Sequence, residues 1–404
     1  MAERLAVGLI SGTSLDGVDA ALVRISGLLN RPRLQLLAFT TVAYPPAIRL
    51  RLLKAAGGEA LTSEEISDLN FLLGDLFAGA ALRVCHQGRV APERLSVIGS
   101  HGQTIFHRGC PPTRRGRGSQ RSASGGEGTR GRTIASTLQI AEPAIIAAKA
   151  GVPVVADFRT ADMAAGGEGA PLVPLVDYLV LRHAKLNTIA LNIGGIANFT
   201  VIPAGAPAEK VSGFDTGPGN MVMDGLVRHF TRDCQRYDRD GRLAAQGQPI
   251  EPMLSHLLSL PFFARHPPKS AGREQFGRAF LEVHFLGRRD GFKHLLRTAN
   301  ELTVRSIAEA FERFVFSQLS VHAGKDRLVI SGGGAHNRLL VARLAELLPQ
   351  LDIRRSDEYG LPVDAKEAIA FALLADRTMH GLPGNLPAVT GARRSVVLGK
   401  VCRR

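Results

Sequence analysis

The sequence predicts an α/β protein built from two related domains with a cleft between them, and three observations carry that reading. An apolar strand, a glycine-bearing turn and a second strand occur at 5–25 and again at 188–203. Each unit is followed by helical periodicity. At 404 residues the chain also exceeds the roughly 150 residues of one typical domain.

The elements follow in order. Residues 5–10 are an apolar run, 11–17 (SGTSLDG) carry turn chemistry, 18–25 resume a β-rich run and 33–44 offer a third strand. Three strands with tight turns read as an antiparallel meander opening a mixed sheet. Helical spacing covers 47–56 and 62–87, the second opened by the N-cap chemistry of Thr62-Ser63-Glu64-Glu65. A strand at 95–99, a helix at 144–150 and a strand at 152–156 come next. The second half has strands at 188–193 and 196–203 and a short strand running into Phe214-Asp215. Helices are expected at 218–230 and 301–322, then a strand at 328–330 and a helix at 337–348. Asp364 is expected to cap a nearly all-apolar, buried helix at 365–379.

The net charge of +14 suggests an anionic partner until its distribution is read. Residues 108–132 hold seven Arg against Glu127, and the tail 391–404 holds five basic residues and no acid, leaving the rest near balance. The first segment is Arg, Gly, Ser and Pro without aliphatic periodicity, so it reads as a flexible surface insertion. An RGG-like RNA-binding segment is the alternative, but no aromatic residue is there to stack a base. Nucleic acid is therefore not the expected partner. Cys85, Cys110, Cys234 and Cys402 are far apart and read as reduced thiols. No stretch approaches the ~20 apolar residues a bilayer needs, and no signal segment is visible, so a cytoplasmic protein is expected.

Four glycine turns follow apolar strands, where α/β proteins usually bind ligands. They are Gly12-Thr13-Ser14-Leu15-Asp16-Gly17-Val18-Asp19, Asn192-Ile193-Gly194-Gly195-Ile196-Ala197-Asn198, Gly213-Phe214-Asp215-Thr216-Gly217-Pro218-Gly219-Asn220 and Ser331-Gly332-Gly333-Gly334-Ala335-His336-Asn337. Glycine lets backbone amides approach a phosphate closely. Any one of them is a tight turn before it is a site; four together point to a nucleotide cleft. Asp16 and Asp19 could orient a hydrated Mg²⁺, and no all-protein metal cage is visible. No P-loop and no dinucleotide fingerprint occurs. Asp215 is either an N-cap for the helix expected at 218 or a general base. Arg159 and Asp162 either hold a polar substrate or form an ion pair in a hinge loop. Gln103 suits sugar hydroxyls, and His101 reads equally as a core histidine.

Together these motifs resemble the anhydro-N-acetylmuramic acid kinase family of the sugar kinase/actin-like superfamily. The matching stretches are GLISGTSLDGVDAAL (8–22), GSHGQTIFH (99–107), VVADFRTADMAAGGEGAPLVP (154–174), LNIGGIANFT (191–200), GFDTGPGNMVMDG (213–225), ISGGGAHN (330–337) and DEYGLPVDAKEAIAFALLA (357–375). The resemblance implies two RNase H-like domains flanking an ATP cleft. The first domain would span 1–158, completed by about 378–404, and the second 159–377. It implies ATP and Mg²⁺ as cofactors and 1,6-anhydro-N-acetylmuramic acid as substrate, in cell-wall recycling and amino sugar catabolism. It also implies a homodimer. Asp215 falls on the family's general base. The four glycine turns fall on its nucleotide loops, and Gln103, Arg159, Asp162, Glu168 and Glu367 match or adjoin positions facing the sugar. Thr216, Glu168 and Ala161 depart from residues common in the family, which often has Cys, Gln and Arg there.

Overall fold

Alternating apolar residues along the first forty positions close the expected meander. Strands β1 (Arg4–Ser11), β2 (Gly17–Leu28) and β3 (Arg31–Ala43) pair antiparallel, with Leu9 opposite Ala20 and Val18 opposite Val42. The computed structural model describes residues 3–12, 15–109, 134–319 and 326–403. It divides the chain into one unit of Met1–Val176 with Glu367–Arg404 and a second of Asp177–Lys366.

In the first unit, α1 (Pro46–Ala56) precedes α2 (Ser63–Gln87), which opens with a complete capping box between Thr62 and Glu65. Strand β4 (Val97–Arg108) runs well past the expected 95–99 and forms a hairpin with β5 (Ser136–Ile140). Then come α3 (Pro143–Ala150), β6 (Val154–Ala156) and α4 (Phe158–Ala164), and α5 (Val173–Leu181) crosses the unit limit at 176/177. The last two helices were hidden in a stretch that mixes charges and glycines. The Arg-rich insertion lies almost wholly outside the described residues.

The second unit contains β7 (Thr188–Ile193), β8 (Ile196–Ile202), β9 (Ser212–Pro218) and α6 (Met221–Phe230). Helix α6 starts at Met221, not at 218, because Pro218 still pairs with Ile196 in the sheet. Helices α7 (Glu251–Leu258), α8 (Pro261–Ala264), α9 (Arg273–Phe276) and α10 (Arg278–His284) lead to the long α11 (Phe292–Phe314). Helix α11 begins nine residues before the expected 301. Leu295, Leu296 and Ala299 extend its apolar stripe backwards and are fully buried. The unit closes with β10 (Arg327–Ser331), α12 (Arg338–Leu347) and β11 (Asp352–Arg355). The chain then supplies the first unit with α13 (Lys366–Met379), α14 (Pro387–Thr390) and β12 (Lys400–Cys402). Asp364 does not stand alone at the start of α13: it accepts a hydrogen bond from His336 Nε2 at 2.8 Å.

The first sheet runs β3-β2-β1-β4-β6-β12 and the second β9-β8-β7-β10-β11. In both, three antiparallel strands are continued beyond the first strand by two successive parallel ones, and in the first sheet β12 then adds antiparallel to β6. Both units thus carry the RNase H-like plan. Each sheet buries its own apolar cluster, one around Phe77 and Ile98, the other around Phe199 and Phe311.

The unit limits of 176/177 and 366/367 differ from the expected 158/159 and 377/378 for a physical reason. Helix α13 packs on the first sheet so closely that a Cβ at Gly8 or Gly99 would strike its backbone at Ala368 or Phe371. Helix α4 is tied to the same unit by Asp162, which accepts hydrogen bonds from Asn385 Nδ2 at 2.6 Å and Thr390 Oγ1 at 2.7 Å. No helix among the described residues is long and apolar enough to cross a membrane.

Candidate functional site

Three of the four glycine turns come together in the second unit. The Gly219 and Asn220 amides donate to the Gly195 and Gly194 carbonyls at 2.9 and 2.7 Å, and Asn220 Nδ2 donates to Ile193 O at 3.2 Å. Gly332 has φ +78°, and a Cβ there would meet the Asn192 side chain. Exposed Gly333 and buried Gly334 adjoin Asn220 and Ile193. Asn192, Gly194, Gly195, Gly219, Asn220 and Gly332–Gly334 therefore form one glycine-lined cradle, in which the Gly219 and Asn220 amides are spent on carbonyls and the close backbone approach comes from the glycines. Beneath it, the Lys366 ammonium, 3% exposed, bonds Ser331 Oγ at 3.0 Å and pairs with buried Asp177 at 2.7 Å. Gly217 stands apart from the cradle, facing Phe263 and Ser306 in the core.

Asp215 sits within β9 opposite Asn198, beside a shift of register in β8. Its Oδ2 accepts from the Ala271 amide at 2.8 Å, and its own amide donates to Lys269 O at 3.0 Å. This corrects the N-cap alternative, since α6 starts after Asn220 and Asp215 lies inside the strand. A half-buried carboxylate gripped by a backbone amide has the fixed orientation a general base needs. Thr216 is fully buried and donates to Ala197 O at 3.1 Å.

The first glycine turn lies in the other unit, and Thr13 and Ser14 fall outside the described residues. Part of the expected loop proves to be core. Leu15 and Val18 are buried, and Gly17 already belongs to β2, packed against the Val42 carbonyl. Asp19 accepts from Thr41 Oγ1 at 2.6 Å. Gly12 and exposed Asp16 remain at the surface of the turn. Burial pushes the Tyr44 phenol up, with Asp16 and Asp19 adding to the shift.

A second cluster in the same unit centres on Arg159. Its Nε donates to His101 Nε2 at 3.0 Å, which leaves the His101 proton on Nδ1, bonded to Gly102 O at 3.1 Å. Burial, and then the Arg159 charge, push His101 down to about 3, so the ring is neutral at physiological pH. It packs 4.6 Å from the Phe371 ring centre. Burial also draws Arg159 down to about 10, while the nearby Glu367 carboxylate pulls the other way. Gln103 is buried, its Oε1 accepting from Ser11 Oγ at 2.5 Å and its Nε2 donating to Thr104 O at 3.1 Å.

Asp162 is fully buried, and beyond Asn385 and Thr390 it accepts from the Gly169 amide at 2.8 Å. The hinge ion pair with Arg159 is not formed; Asp162 instead orders the 166–169 turn. Glu168 is exposed at that turn, and partial desolvation, with Asp162 close by, holds its carboxyl above the usual range.

Two ionisable groups, half-buried Asp224 and buried Lys269, stand outside the sequence expectations. Asp224, on the first turn of α6, is pushed up to about 7 by burial. Lys269 lies 5% exposed behind Asp215. The only local signal for the latter was the turn-rich run Pro267-Pro268-Lys269-Ser270-Ala271-Gly272. Among the described residues no group of three or more His, Cys, Asp or Glu forms a metal cage.

A family model described as anhydro-N-acetylmuramic acid kinase matches residues 4–117 and 128–404. A relative of that description from Caldanaerobacter subterraneus subsp. tengcongensis is 42% identical over 405 residues, covering 99% of this chain and 97% of its own. Another from Gloeobacter violaceus is 44% identical over 406 residues, covering 99% of each. Component A of (R)-2-hydroxyglutaryl-CoA dehydratase from Acidaminococcus fermentans superposes with a TM-score of 0.40 at 11% identity, over 93% of this chain and 99% of that one. At that level the fold rests on the strand orders given above.

Proposed function

The chain belongs to the anhydro-N-acetylmuramic acid kinase family, and on that premise we propose that it converts 1,6-anhydro-N-acetylmuramic acid, ATP and water into N-acetylmuramic acid 6-phosphate and ADP. It is a kinase, an enzyme of that family. In this reading Asp215 takes a proton from water as the water oxygen bonds to the anomeric carbon. The bond from that carbon to O6 breaks, and the freed O6 takes the γ-phosphoryl group. One base thereby couples ring opening to phosphoryl transfer, and the protein contributes mainly position and charge.

The observation that supports this best is the grip on Asp215, which holds its carboxylate by the Ala271 amide in the strand that runs into the cradle at Gly219-Asn220. The cradle suits the phosphates of ATP. Mg²⁺ would be held chiefly by phosphate oxygens and water and would offset phosphate charge. Arg159 and Glu367, with Gln103 and Glu168 beside them, are assigned to the sugar, and Asp162 to positioning their loop. The place of action is the cytoplasm, in peptidoglycan recycling and amino sugar metabolism, with a homodimer as the working form.

The test is ADP release that depends on the anhydro-sugar. Asp215→Asn should cut kcat by at least about a hundredfold while leaving the nucleotide Kd nearly unchanged. Turnover near wild type in that variant would overturn the base assignment. Phosphorylation of a reducing amino sugar, with none of the anhydro form, would overturn the substrate.

A further inference from the structure

Lys269 is buried where a lysine is costly, and its surroundings explain why a cation is held there. The ammonium lies 4.8 Å from the centre of the Phe262 ring and 4.9 Å from that of Phe314. It also lies 3.4 Å from the carbonyl oxygens of Phe262 and Phe263. Two aromatic faces and two carbonyl oxygens make a cage that favours a cation over a neutral group. The backbone of the same stretch grips Asp215 twice. Lys269 O accepts the Asp215 amide at 3.0 Å, and the Ala271 amide donates to Asp215 Oδ2 at 2.8 Å.

The charge is not there for packing alone. Burial draws the Lys269 ammonium down to about 8, and the Arg313 and Arg265 charges lower it further, while Asp215 pulls it up. An unbranched apolar side chain would fill the same cage without desolvating an ion. The charged groups that face the ammonium are Arg265, Arg313 and Asp215, and the His266 ring packs 5.4 Å from Phe314, one wall of the cage.

We propose that Lys269 is a positioning residue for Asp215: its caged ammonium anchors the 267–272 segment that grips the carboxylate, and its charge favours the carboxylate form. The inference rests on Asp215 being the general base. It assigns a function to a turn-rich segment.

The experiment compares Lys269→Met, which keeps the length and loses the charge, with Lys269→Arg in sugar-dependent ADP release across pH. Lys269→Met should lower kcat roughly tenfold, a cost in keeping with a misplaced base. The acid limb of its kcat/KM profile should move to higher pH by roughly half a unit or more, because a neighbouring cation is gone. Its nucleotide Kd should stay within about twofold. Lys269→Arg should keep the acid limb of the wild type.

A Met variant with wild-type kcat and pH profile overturns the proposal, as does an Arg variant that shares the shifted limb. If the Met variant fails to fold, Phe314→Leu carries the test by removing one wall of the cage. A reduced kcat at unchanged nucleotide Kd supports the anchor, and wild-type kcat overturns it. Asp215→Asn in the same assays separates the two readings. If it retains turnover, the base assignment falls; if it is inactive while Lys269→Met is unaffected, only the role of Lys269 falls.

Discussion

The imidazole of His101 shows how much a single buried group can govern. Arg159 donates to its Nε2, burial depresses its titration to about 3, and an unfolded histidine titrates near 6.5. Below pH 6.5 the unfolded chain binds a proton that the folded one refuses, so folding stability falls as pH drops from about 6.5 towards 3. His101→Gln retains an acceptor for Arg159 and removes that proton. Its stability, measured by urea denaturation at stepped pH, should decline less steeply than wild type in that window, by up to about 1.4 kcal/mol per pH unit. Equal slopes would show that His101 is not what destabilises the acid form. Gln103 and Asp215 were legible because Gly102 and the pair Gly213 and Gly217 mark their turns, and Arg159 because its charge stands in a run that mixes charges with glycines. What each one bonds to was not legible. Asp162 is the clearest example: its partners Asn385 and Thr390 are more than two hundred positions away, and local sequence carries no trace of them.

At the scale of elements, periodicity located the long helices and the opening meander, because each shows an apolar stripe or a two-residue alternation over several turns. It missed β5, α4 and β12, which are short and are held by pairing or packing with distant segments. The contact of α13 with the first sheet belongs to the same class. Gly8 and Gly99 read as ordinary strand residues, yet both are needed to let the helix backbone approach. Gly99→Val should therefore destabilise the protein by about 3 kcal/mol, seen as a lower urea midpoint, because rigid backbone at Phe371 has to move. A midpoint within a few tenths molar of wild type would mean that the helix shifts without cost. The capping box at Thr62 is the opposite case, a helix start spelled out in four consecutive residues and formed as read.

The whole molecule repeats one plan twice, three antiparallel strands continued by parallel ones, and charge has little part in it. The +14 excess is concentrated in the insertion and the tail, and the family model passes over 118–127 inside the insertion. Deleting 118–127 should leave sugar-dependent turnover within about twofold of wild type and Tm nearly unchanged, as expected for a segment that the family model does not match. A loss of turnover with the fold intact, checked by circular dichroism, would give the insertion a part in the reaction. The sequence by itself determined the α/β class, the duplicated strand-turn-strand plan and the family, because those depend on runs of neighbouring residues. Tertiary structure alone decided that α4 joins the first unit, that three glycine turns make one cradle and that Lys269 stands behind Asp215. Those facts depend on which distant segments come within a few ångströms of each other, and that is set by the packing of the whole fold.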